Sequence, residues 1–170
     1  MSVPLQLDPA PRTLVFRALE SIVRGNAVFQ RIVKPGSFRT WQGKPDDAKP
    51  FTIEIAPAMR WTPAAGPDTF LFPDTQRGDL LVNIEILIKT TDVDDMLNFW
   101  WMLVRCFYPP TTTNPPSMGG PNAIRAQLQA AGAVTGLVNF TQPAFDPDPD
   151  GVFMAGHGQL RIEVRSDIQS

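Results

Sequence analysis

The sequence predicts an α+β fold: a mostly antiparallel or mixed sheet with helices packed on one face, and long proline-rich loops between elements. Three observations predict it. Leu80 to Thr90 and Leu160 to Arg165 alternate apolar and polar residues, as half-buried strands do. Thr13 to Arg24 and the stretch after Asp92 place apolar residues at helical spacing. Fifteen of the 18 prolines gather at 4–11, 57–73, 109–121 and 143–149, where the missing amide excludes helix interiors and central strands.

Taken in order, the chain opens with an arm, residues 1–12, ahead of one α+β domain over 13–167, and closes on a tail, 168–170. The first helix carries Leu14, Val15, Ala18, Leu19, Ile22 and Val23 on one stripe, with Thr13 as cap and Gly25 as terminator. Ala27 to Val33 reads as a strand, and Phe51 to Ala56 as a second one stopped by Pro57. A proline-rich loop is expected from Pro57 to Gly78. In the strand that follows, Leu80, Val82, Ile84, Ile86 and Ile88 face inward.

Asp92 caps the second helix, and the acids of its first turn suit the positive end of the helix dipole. Its main stripe is Val93, Met96, Leu97, Trp100, Trp101, Val104 and Phe107 or Tyr108, yet Phe99, Met102 and Leu103 lie off it. A helix apolar nearly all round must be covered on more than one side, by other elements or by a neighbouring subunit. Beyond it are expected a loop over 109–121, a short helix over 122–131 ended by Gly132, a strand from Ala133 to Phe140, turns over 143–151 and a last strand from about Val152 to Arg165. The outer sheet face then carries Glu54, Glu85, Lys89, Arg161, Glu163 and Arg165.

Composition narrows the function. A length of 170 residues buries a sizeable core without metal or disulfide staples. Charged residues make up 19%, short of the usual quarter or so, which eases covering part of the surface with another subunit. The net charge of −2, without a block of like charges, argues against a phosphate-seeking surface. One cysteine excludes an internal disulfide and suits a reducing compartment. The first residues hold no apolar run of signal-peptide or membrane-helix length, so synthesis and folding are expected in the cytoplasm.

The inventory for chemistry is thin. His157 is the only histidine, so multi-histidine metal sites are excluded, and alternation puts it on the polar face. Cys106 sits in the apolar helix without a neighbouring base and reads as a buried structural thiol. Asp146, Asp148, Asp150 and Gly151 copy the start of a calcium-binding loop, but position 12 is His157 where a bidentate glutamate belongs. An acidic turn is the better reading. No phosphate-binding glycine motif follows a strand. Neither a catalytic residue, a cofactor nor a metal is therefore expected. Trp41 and Trp61, beside Gly- and Pro-rich segments, are candidate interface anchors, and Phe99 and Trp101 of the apolar helix join them. Phe70 and Phe72 in the first long loop and Met118 in the second complete the candidates.

The element order carries a resemblance. TLVFRALESIV, FTIEIAP, the run DLLVNIEILIKTTDVDDMLNFWWMLVRCFYP and the closing GQLRIEVRSD follow one another as in the tail terminator, or tail completion, proteins of long-tailed bacteriophages. The chain resembles that family from about Thr13 to Asp167, through pattern rather than an invariant motif; the two long loops depart from the compact family form. The resemblance implies a virion protein without catalytic residues, assembled in the host cytoplasm into a hexameric ring in the neck. Such a ring caps the head-proximal end of the tail tube, stops its polymerisation and offers a face to the head-side connector or stopper, with DNA only as passing cargo and no membrane partner. A head-side connector or stopper is the nearest alternative. A monomeric module binding peptide or sugar through Trp41 and Trp61 is another, and an enzyme built on Asp146 and Asp150 a third.

Overall fold

The structure is a computed structural model that describes residues 11–40, 51–71, 75–90, 92–107, 134–141, 144–147 and 150–167. The described elements are α1 (Pro11–Arg24), α2 (Ala27–Ile32), β1 (Phe38–Thr40), β2 (Ala58–Leu71), β3 (Thr75–Ile88), α3 (Val93–Phe107), β4 (Val134–Phe140), β5 (Ala144–Pro147) and β6 (Met154–Asp167). The strands form one sheet in the order β1-β2-β3-β6-β4, and β5 also pairs with β6. All pairings are antiparallel except β1 with β2. The expected α+β architecture, with helices on one sheet face, is what the chain adopts.

Alternation builds the inner face. Leu80, Val82, Ile84, Ile86 and Ile88 of β3 are buried, as are Leu160, Ile162 and Val164 of β6, and they join the buried residues of all three helices in one core. Two glycines of β6 also point inward. A Cβ at Gly156 would stand 3.0 Å from Met96 Sδ, and one at Gly158 would stand 2.6 Å from Trp100 Cζ3. Their bare backbone lets α3 lie close on the centre of the sheet. Outward, His157 is exposed, with Nε2 3.4 Å from Asp146 Oδ2.

α1 begins on Pro11, two residues before the expected Thr13 cap; proline at a first helical position loses no hydrogen bond. Gly25 N–H donates to Ser21 O at 2.9 Å and ends the helix. Val15, Leu19 and Val23 are fully buried, and Arg12 Nε donates to the Asp79 carbonyl at 3.1 Å, tying the helix to β3. At the other end, the Arg24 guanidinium lies 4.6 Å from the Phe38 ring centre, over β1.

Several expectations are corrected. Residues 27–32 are helical: the Asn26 side chain accepts the N–H groups of Val28 and Phe29, both at 3.0 Å, and this cap outweighs the β-branched content that suggested a strand. Phe51 to Ala56 is not a strand. Ile53–Ile55 make one 3-10 turn, in which Ile55 N–H donates to Thr52 O at 3.1 Å, and the Ala56–Pro57 bond is cis. The Glu54 carboxylate accepts from its own N–H and the Thr52 hydroxyl, which lowers its pKa from the ordinary range; such local bonds compete with a ladder. Glu54 is therefore not on the sheet.

The expected loop from Pro57 to Gly78 is mostly strand. β2 and β3 pair from Ala58↔Leu87 to Leu71↔Thr75, with a register shift between Ala65 and Asp68. Its prolines fit for a positional reason. Among the described residues β1 pairs only with Met59, Arg60 and Trp61, so Pro63 lies beyond that ladder, and Pro67 falls in the irregularity. Likewise Ala144–Pro147, expected as turn, forms β5. On the outer face Arg60 pairs with Glu85, Gln159 Nε2 donates to Asn83 Oδ1 at 3.0 Å, and Arg161 lies 2.5 Å from Asp79. Lys89 is exposed as expected, but Glu163 is only 9% exposed. The expected loop over 109–121 and helix over 122–131 lie outside the described residues.

Candidate assembly surface

α3 decides which apolar residues are left over. Asp92 Oδ1 accepts the Asp94 N–H at 2.9 Å, while Thr90 Oγ1 accepts the Asp92 N–H at 3.1 Å and donates to Asp95 Oδ2 at 2.6 Å. These bonds satisfy amides that the first turn leaves unpaired, and fix the carboxylates of Asp92 and Asp95 at the positive end of the helix dipole. The buried face is Met96, Phe99, Trp100, Leu103, Cys106 and Phe107. Phe99 and Leu103, expected off the core stripe, are in it; Val93 (47% exposed), Leu97 (47%) and Trp101 (51%), expected on it, face out. Asp94, Asn98 and Arg105 lie exposed on the outward side of α3, and the fit of Met96 and Trp100 onto Gly156 and Gly158 holds the opposite side to the sheet.

The outward side of α3 borders a groove of about 550 Å³, in which Leu97, Trp101 and Val104 face Phe140, Thr141 and Phe145. Its floor is aromatic: the Trp100 and Phe140 rings meet edge to face at 6.3 Å, and beneath them Phe107 lies tilted against Phe140 at 5.4 Å. A second apolar spot lies on α2, where Phe29 turns inward and Val28 (44% exposed) and Ile32 (42%) turn out. Beside it Arg24, Phe29, Gln30, Val33, Pro35 and Phe38 line a groove of about 500 Å³.

The sequence-derived interface candidates divide. Trp101 is exposed on the groove. Phe99, only 7% exposed, belongs to the core. Trp61 is corrected: it is fully buried, stacks on Phe107 at 6.0 Å and donates its indole N–H to Met59 Sδ at 2.9 Å, so it presents nothing to a partner. Phe70 is in β2 opposite Gln76, and Trp41, Phe72 and Met118 lie outside the described residues. Val28 and Ile32 were missed as surface residues because 27–33 read as a strand. The signal was present in Asn26 as a cap followed by apolar residues four apart.

The groups that suggest chemistry are placed apart. Cys106 is buried, and burial pushes its thiol up to about 12, so it carries no thiolate at neutral pH. His157 has an exposed carboxylate as its neighbour and no buried base–acid arrangement. Among the described residues no three His, Cys, Asp or Glu side chains converge as metal ligands; Asp148 of the acidic turn lies outside them. No helix among the described residues is long and apolar enough to cross a membrane.

No protein-family model matches the sequence, and no curated protein matches it. Among solved structures, the chain is similar to one in the virion of a native gene transfer agent particle, with a TM-score of 0.57 over 88% of this chain and 93% of that one. Identity across the match is 9%, so the likeness is one of fold, and it extends over nearly the whole of both chains.

Proposed function

We propose that this chain is a structural subunit of a phage-like particle. In this reading it forms a hexameric ring in the neck, caps the head-proximal end of the tail tube, halts tube growth and presents a joining face to the head-side connector or stopper. It carries out no catalysis, and DNA passes it only as cargo. The observation that carries the reading is the fold shared with a chain of a gene transfer agent virion, aligned over 88% of this chain. The exposed apolar faces of α2 and α3 support it, since a ring subunit needs two surfaces that its neighbours cover. Phage-like assembly also accords with the order of elements from α1 through β3 and α3 to β6.

The test is a mass measurement by light scattering together with electron microscopy, on the protein alone and with purified tail tubes. Rings, or density at one end of the tubes with tube growth arrested, are expected. A strict monomer that leaves tube ends bare at all concentrations sinks the reading.

A further inference from the structure

The six large apolar side chains most exposed among the described residues are Val28, Ile32, Val93, Leu97, Trp101 and Val152. Five of them form two patches, and the patches carry opposite charge. On α3, Val93, Leu97 and Trp101 stand beside exposed Asp92, Asp94 and Asp95. On and just after α2, Val28 and Ile32 stand beside exposed Arg31 and Lys34. Exposed Arg105, one turn beyond Trp101, lies on α3 as well, so the α3 patch is acidic at its Val93 end.

The patches lie on different helices and both face away from the core. A chain of rings, Phe29 to Phe38 (5.3 Å), Phe38 to Trp61 (5.4 Å) and Trp61 to Phe107 (6.0 Å), links α2 to the last residue of α3. Leu97 and Trp101 precede that residue by ten and six positions, about 15 and 9 Å along the axis at about 1.5 Å per residue. One subunit therefore cannot close its two patches on each other.

We propose that the occupant of the α3 groove is a second copy of this chain: the α2 face of one subunit, with Val28 and Ile32 at its centre, seats against Leu97 and Trp101 of the next. Arg31 and Lys34 then meet Asp94 and Asp95 around the apolar contact. The contact is head to tail, the kind that closes into a ring when its rotation permits. Opposite charge at its rim sets register and speeds encounter, and like charge would oppose a two-fold α3-to-α3 or α2-to-α2 pairing in the same register. This assignment of faces rests on the assembly reading above.

Complementary half-dead subunits test it. Val28→Asp with Ile32→Asp disables one face, and Leu97→Asp with Trp101→Asp the other; all four positions are exposed, and unchanged circular dichroism checks folding. Each variant alone should be monomeric by sedimentation velocity, on tube ends where the wild type assembles only there. Mixed in equal amounts, they should form a dimer that grows no further, because one competent junction remains. Charge reversal adds an independent arm. Asp94→Lys with Asp95→Lys, or Arg31→Glu with Lys34→Glu, should each weaken association at low salt by at least about tenfold, and combining all four should restore it.

Rings that persist in either apolar variant overturn the face assignment and leave the ring reading standing. Dimers that survive Val28→Asp with Ile32→Asp but not the α3 variant overturn it in favour of a two-fold α3 contact. An α3 variant that melts earlier yet assembles normally overturns it by showing that this chain's own residues cover the groove. A wild type that is monomeric and ignores tubes overturns both readings.

Discussion

Trp100 packs against Gly158, so close that a methyl group at 158 would overlap the indole ring. This contact joins the second half of α3 to the middle of β6 and sets the rotation of the helix. Gly158→Ala should destabilise the fold by about 1–3 kcal/mol through overpacking, read as a lower urea midpoint. The cost should shrink when Trp100→Leu is made in the same chain, since the two residues share one space.

Adjacent tryptophans should behave oppositely. Trp100→Glu puts a charge into the core and should abolish folding, because an unpaired buried carboxylate has no compensating partner. Trp101→Ser removes an exposed side chain and should leave stability within about 0.5 kcal/mol while reducing the oligomer or tube-bound fraction. Thermal melts set beside sedimentation profiles check both.

Trp61→Ala should cost about 3–5 kcal/mol, the range for truncating a buried aromatic residue. It should do so in monomer and assembly alike, since Trp61 meets only its own core. Chemical denaturation of the variant in a monomeric background is the measurement.

Cys106 gives a pH signature. Its thiol is raised to about 12 in the fold, whereas an unfolded chain ionises it near the ordinary value of 9.0. Above that value the unfolded state binds fewer protons than the native one, so this contribution to stability is intact below about pH 9 and is lost as pH rises towards 12. Cys106→Ala should flatten that decline in a series of melts. A thiol reagent at pH 8 should react slowly with native protein and rapidly in denaturant.

What was legible in the sequence follows from which signals are local. β3 and β6 were readable because each alternates over several residues with a solvated opposite face; α3 was readable from its acid cap and length. The 27–33 segment misled because Val28, Phe29, Ile32 and Val33 suit either period, and the decision lay with one amide-accepting side chain, Asn26. Pro63 and Pro67 argued for a loop because their tolerance depends on strand position: Pro63 lies beyond the described β1 ladder and Pro67 in a register shift. The candidate surface was half legible. α3 was visibly too apolar for one core face, but which side stayed outside was fixed by two glycines more than fifty residues away, a relation no window on α3 contains.

The pairing of β3 with β6 also governs when the subunit can exist. Partners across it, such as Asp79 and Arg161, are 82 positions apart, and β6 lies between β3 on one side and β4 and β5 on the other. Contacts of such separation form slowly, after the β2–β3 hairpin and the helices have had time to appear. During translation that hairpin waits with one long edge unpaired until the last strand leaves the ribosome. The seat for Met96 and Trp100 arrives with β6 as well, so the outward side of α3 is defined only once β6 is in place.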